Sequence, residues 1–189
     1  MPPRVKITKE QIIQTALALV RANGDEALNA RAIAVALNCS TQPIFSNFAS
    51  MEELRESVIS AAYEGYLLFL KREAESKRYP QYKAFGMAYI RFAKEEKELF
   101  KLLFMRDRSG EQPSTSPDFD ASVHMIMNAN GVSAETAKRM HLEMWTCVHG
   151  IGVMLATSFF PLEWELVSNM LTDIYQGIRA KHLAEEAHK

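Results

Sequence analysis

The chain is poor in cysteine. Cys39 and Cys147 are its only two in 189 residues, and they sit in different segments. One such pair is not a disulfide framework, and a reducing compartment, the cytoplasm, is expected. Net charge is also scarce: the formal value is −1. The chain as a whole does not announce nucleic-acid binding, so any basic footprint must be local. Strand-like alternation of useful length is missing, as is any internal repeat, which points to an all-α protein. There is no H-E-x-x-H, no cysteine cluster, no phosphate-binding glycine loop and no G-x-S-x-G. No catalytic residue, metal or cofactor is therefore expected. The alternative is an all-helical enzyme or metal-binding protein using His124, His141 and His149. His141 and His149 would lie roughly 12 Å apart along one helix, too far to share a metal. MPPRVKITKE has no apolar stretch after its charges, so no signal peptide is expected. The one long segment without Asp, Glu, Lys or Arg, Met144 to Leu162, has no basic flank. It reads as a helix buried in a core or interface, not as a membrane span.

What is present is a series of capped helices, about nine in number. Thr8 and Gln11 form a capping box for a first helix that runs to Asn23 and closes at Gly24. Its stripe is Ile12, Ile13, Ala16, Leu19 and Val20. Asn29 can cap a short second helix with Ile33, Ala34 and Leu37 on its apolar face. Ser40 can cap a third through Ile44, Phe45 and Phe48. Ser50 and Glu53 form a capping box for a fourth, from Met51 to about Lys77. Pro80 introduces a fifth with Phe85, Ala88, Tyr89 and Phe92 facing inward. A sixth, near Glu95 to Met105, carries Leu99, Phe100, Leu103 and Phe104. RDRSGEQPSTSP then reads as a loop. A seventh helix spans about Phe119 to Asn130. An eighth runs from Ser133 to about Phe160, and a ninth begins near Glu163.

Two helices as short as the second and third cannot bury a core alone. They make sense as a helix-turn-helix that holds its second helix out for the DNA major groove. The stretch Gly24, Arg31-Ala32-Ile33-Ala34, Ser40, Phe45-Ser46-Asn47-Phe48 and Ser50-Met51-Glu52-Glu53-Leu54 resembles the DNA-binding domain of the TetR family of bacterial regulators. The resemblance covers roughly residues 8 to 60. It implies a three-helix reading domain at residues 1–50. It also implies an effector-binding and dimerisation domain at 51–189, whose last two helices pair with a second copy. It implies a ligand-responsive repressor, not an enzyme, that binds an inverted repeat of double-stranded DNA as a homodimer. Two positions depart from the family pattern. Phe45 stands where the family usually has Tyr and Met51 where it usually has Lys, and both family side chains commonly reach phosphate.

The DNA candidates follow from chemistry and place. Arg31, early in the second helix, suits a phosphate. Asn29 caps that helix and stands where its exposed amides face an anion. Thr41 and Gln42 open the recognition helix, whose first residues meet base edges, and Gln fits the N6/N7 edge of adenine. Pro43 is tolerated in a first turn and offers an apolar surface to a thymine methyl. Ser46 and Asn47 can hydrogen-bond to phosphates. Phe45 either packs on a sugar or closes the core with Phe48. Before Ser46 the cations Arg4, Lys6, Lys9, Arg21 and Arg31 outnumber Glu10, Asp25 and Glu26 by +2.

The rest of the chain is rich in Met and aromatics. Phe92, Phe100, Phe104, Met125, Met144, Trp145 and His149 are the candidate lining of a site for a small, mainly apolar or aromatic effector. Plain core is the competing reading of the same residues. Trp145 to Gly150 also resembles a Trp-x-x-x-His-Gly stretch of some TetR regulators. His149 is then either a ligand anchor or a satisfied core histidine. Cys39 is read as a small turn residue, with a redox role as the alternative.

Overall fold

A computed structural model describes residues 7–109, 117–186 and 188. The helices are α1 Lys9–Asn23, α2 Ala30–Ala36, α3 Gln42–Asn47, α4 Met51–Glu75 and α5 Gln81–Glu95. They continue with α6 Lys97–Phe104, α7 Pro117–Asn130, α8 Ala134–Ala156 and α9 Trp164–Glu186. The described residues thus form nine α-helices, one short 3-10 turn (Asp25–Ala27) and no strand. Most of the expected RDRSGEQPSTSP loop, residues 110–116, lies outside the described residues.

Two compact units emerge. The first is Met1–Leu68 with Glu96–Arg106, and the second is Phe69–Glu95 with Asp107–Lys189. α4 therefore begins in the first unit and ends in the second.

In the first unit local signals act as read. Thr8 Oγ1 accepts the Gln11 N–H at 3.2 Å while Gln11 Oε1 accepts the Thr8 N–H at 2.9 Å, completing the box. α1 buries Ile12, Ala16 and Val20, four residues apart, on one stripe. α2 buries Ile33 and Ala34, and α3 buries Ile44 with Phe48 at its end. α6 packs against α1 and buries Leu99, Phe100, Leu102 and Leu103. Gly24 closes α1 at φ 83°, a left-handed backbone that side chains rarely adopt. A Cβ there would also meet Glu98 Oε2 at 3.0 Å. Ion pairs fasten this unit: Arg21 Nε to Glu96 Oε2 at 2.9 Å, and a bidentate Arg55–Asp25 pair at 2.6 and 2.8 Å.

The second unit is α5, α7, α8, α9 and the end of α4. Val123, Ile126, Val132, Ala137 and Met140 form a buried cluster, covered by Tyr82, Phe119, Met127, Tyr175, Ile178 and Leu183. α5 approaches α8 closely at Gly86, where a Cβ would sit 3.3 Å from Val148 Cγ2. Ser133 caps α8. Glu186, from the end of α9, accepts the Ser133 N–H at 3.0 Å and the Thr136 hydroxyl at 2.6 Å, placing a carboxylate at α8's positive end. α8 stops at Ala156, four residues short of the expected Phe160. Ser158 turns to φ 55°, and Phe159 and Phe160 are exposed. No helix among the described residues is long and apolar enough to cross a membrane. The charge-free run is explained by burial of Met144, Val148, Ile151, Gly152, Leu155 and Ala156.

Candidate nucleic-acid interface and effector site

α2 and α3 are held by their buried residues, and what they leave outside is the candidate reading surface. Asn29 caps α2: its Oδ1 accepts the Ala32 N–H at 2.9 Å and its Nδ2 donates to the Glu26 carbonyl at 3.2 Å. Arg31 is exposed two residues on, in the first turn of α2. The cap of α3 is Thr41, with no side-chain hydrogen bond, instead of the expected Ser40. Both residues are exposed. Thr41, Gln42, Phe45 and Ser46 are exposed together on one side of α3, and Pro43 and Asn47 are half-buried. Two donors are already engaged within this helix. Ser46 Oγ donates to the Gln42 carbonyl at 2.9 Å, and Asn47 Nδ2 donates to the Pro43 carbonyl at 2.7 Å. Phe45 does not close the core with Phe48. Phe48 is 2% exposed and Phe45 53%. A six-residue helix has one buried face, and Ile44 and Phe48 fill it.

Two neighbours of this surface escaped the sequence reading. Val35 on α2, one turn from Arg31, is 76% exposed, although a β-branched apolar residue there suggests burial. Lys9 of α1 reaches Glu53 Oε1 at 2.9 Å and lies 4.6 Å from the centre of the Phe48 ring. The Lys9 ammonium and the Ala49 N–H hold the Glu53 carboxyl below the usual carboxylate range. No local pattern links residues 44 positions apart.

Of the effector candidates, Phe100 and Phe104 belong to the first unit. Phe100 is fully buried, and Phe104 meets Tyr66 edge-on at 5.1 Å. Phe92, Met125, Met144, Trp145 and His149 belong to the second unit. Phe92 and Met144 are buried, and Met125 is half-buried on α7. Trp145 is 42% exposed and stacks on His149 with ring centres 5.0 Å apart and planes 12° from parallel. His149 Nδ1 is 2.8 Å from the Tyr89 hydroxyl. His141 has an equivalent partner, the Tyr82 hydroxyl at 2.9 Å, and burial pushes the Tyr82 phenol well above its usual range. Among the described residues no group of three His, Cys, Asp or Glu side chains is placed to hold a metal ion. Cys39 is half-buried in the turn before α3.

The model of the Tetracyclin repressor-like, C-terminal domain family matches residues 82–174. An uncharacterized HTH-type transcriptional regulator of Mycobacterium tuberculosis is 22% identical over 156 residues, 80% of this chain and 72% of the relative. The chain belongs to the TetR family. It is a DNA-binding transcriptional regulator, and its all-helical fold is that of solved family structures. A TetR-family member from Streptomyces coelicolor A3 superposes with a TM-score of 0.61 at 17% identity, covering 88% of this chain and 96% of that one. The multidrug binding protein EbrR, solved with imidazole, gives the same TM-score at 16% identity, with 88% of each chain covered.

Burial pushes the His149 imidazole of this TetR-family chain below its ordinary range, so the folded protein favours the neutral ring. The depressed value contributes stability above the ordinary pKa of 6.5, and that contribution is lost as pH falls through the lowered folded value. We expect His149→Gln to flatten the fall in melting temperature on acidification. An identical pH profile in the variant would show that His149 does not titrate with folding.

Proposed function

We propose that this regulator is a ligand-responsive repressor that binds an inverted-repeat operator as a homodimer and releases it when an effector enters the second part of the chain. The observation that carries the reading is the exposed face of α3, with Thr41, Gln42 and Ser46 held outward by buried Ile44 and Phe48. In the roles proposed, Gln42, Thr41 and Pro43 read bases. Arg31, Asn29, Ser46 and Asn47 meet the backbone, and Phe45 packs on a sugar. Residues 1–50 carry DNA reading, and 51–189 carry the effector site and the dimer interface.

Dimerisation through α8 and α9 is supported by what their outer faces leave uncovered. Leu142 and Leu166 are 55% and 49% exposed. Gly150 has no atom within 4 Å of an added Cβ, which leaves room for close helix approach. The proposed effector is small and mainly apolar or aromatic, and it would meet the half-exposed Trp145–His149 stack first. Its coupling to DNA equals its differential affinity for the bound and released states. The protein is not proposed to catalyse a reaction, and its place is the cytoplasm.

Selection of bound fragments from random DNA, followed by footprinting, tests the reading. The expected result is a two-fold symmetric footprint with half-sites about one helical turn apart or a multiple of it. An asymmetric footprint would count against the dimer. Met51, half-buried at the start of α4, offers no charge to a phosphate. Met51→Lys should steepen the slope of log affinity against log salt by up to about 0.9 per chain. An unchanged slope would mean that this end of α4 does not face the backbone.

A further inference from the structure

One buried donor has no use in the fold. Trp164 opens α9 and is half-buried, and its indole Nε1 is closed off from solvent. Among the described residues no atom accepts its hydrogen. A buried tryptophan usually finds a partner for that N–H. Leaving a buried donor unmade costs its full desolvation, more than a typical hydrogen bond contributes.

The neighbours decide what could accept it. Arg91 of α5 lies over the indole, with its guanidinium 5.0 Å from the ring centre. A guanidinium only donates, so it cannot take the indole hydrogen. Arg91 Nη1 donates to Glu73 Oε1, near the end of α4, at 2.5 Å, and Glu95 stands 4.0 Å from Arg91 Nε. Glu163 and Glu165 flank Trp164 in the chain and are exposed. Four carboxylates thus stand against one guanidinium. An added anion would meet repulsion as well as the loss of its own hydration. The N–H calls for a neutral oxygen acceptor. The buried side chains beside Glu73 and Arg91 in the chain are apolar: Leu70, Ile90, Phe92 and Ala93. All these residues belong to the second unit.

We propose that the Trp164 indole N–H is the anchor for the carbonyl oxygen of a neutral, otherwise apolar ligand (a ketone, ester or amide) seated beside the Arg91–Glu73 pair. The proposal rests on the effector reading and deepens it, because it places the effector's polar atom at the start of α9.

The test is a proton–nitrogen NMR correlation spectrum of the indole groups. The chain has two tryptophans, so two indole resonances are expected, and Trp145→Phe assigns them. Acetophenone and ethylbenzene are the probes, alike in shape and differing by the carbonyl. In the free protein the Trp164 proton should resonate upfield, as an indole without an acceptor does. Acetophenone should move it downfield, and ethylbenzene should not. Trp164→Phe keeps an apolar ring and loses the donor. By calorimetry it should weaken acetophenone binding about two- to tenfold, the worth of one net hydrogen bond, and leave ethylbenzene unchanged. Melting temperature is read beside it, and if that variant fails to fold, the spectra of the parent protein decide the matter. A downfield Trp164 proton before any probe is added would overturn the proposal, because water or the protein then already serves it. Equal shifts from both probes would overturn it too. Shifts confined to Trp145 would overturn the anchor and leave the effector reading standing. Probes that move neither resonance and bind nowhere would overturn both.

Discussion

Phe100→Ala should lower the unfolding free energy by about 3–5 kcal/mol, the usual result of emptying a fully buried aromatic site. Phe100 lies on α6, which packs against α1, so the loss falls on the compact unit that also contains α2 and α3. DNA affinity should fall with stability as the folded fraction declines. Trp145→Ala is the contrast. That ring is 42% exposed, and its removal should cost far less stability while changing effector response. Thermal melts run beside DNA titrations on the two variants separate the cases. If Phe100→Ala keeps its melting temperature and ligand-free DNA affinity, Phe100 lines a cavity and is not solid core. If Trp145→Ala unfolds the protein, the stack on His149 is structural.

Gln42→Ala should erase preference at one base position in each half-site, by about 1–3 kcal/mol for each lost bidentate contact. A two-fold operator contains that position twice, so the combined effect is among the largest available to a single substitution. Arg31→Ala should weaken binding to all sequences about equally, because phosphate contacts hold no direct base code. Binding measured across a library of single-base operator variants distinguishes the two. A changed preference in Arg31→Ala, or an unchanged one in Gln42→Ala, would reverse the proposed roles.

The sequence by itself determined the helices and most of their ends. Caps are local: Thr8 with Gln11, Asn29 with Ala32, and Ser133 with Thr136 each close within three residues. The spacing of Ile12, Ala16 and Val20 states which face of α1 is buried, and the order of short helices after Gly24 names the family. Where the local signal was thin, the reading slipped. α8 ends at Ala156 because Ser158 adopts a left-handed backbone, although an uncharged run continues beyond it. Phe45 and Phe48 lie three residues apart on a helix too short for its period to separate a core ring from an exposed one.

Tertiary structure alone decided the long-range pairings. Lys9 meets Glu53 across 44 residues and Arg21 meets Glu96 across 75, and these pairs consume the cations that a sequence count leaves free. His141 and His149, metal candidates by type, each take a tyrosine hydroxyl from α5 about 60 residues away. α6 follows α5 with only Glu96 between them, yet it joins the first unit and packs on α1. Its apolar face says only that it must be buried. Burial against any partner removes the same area from water, so the choice of partner is set by shape and chain path, which no window of sequence contains.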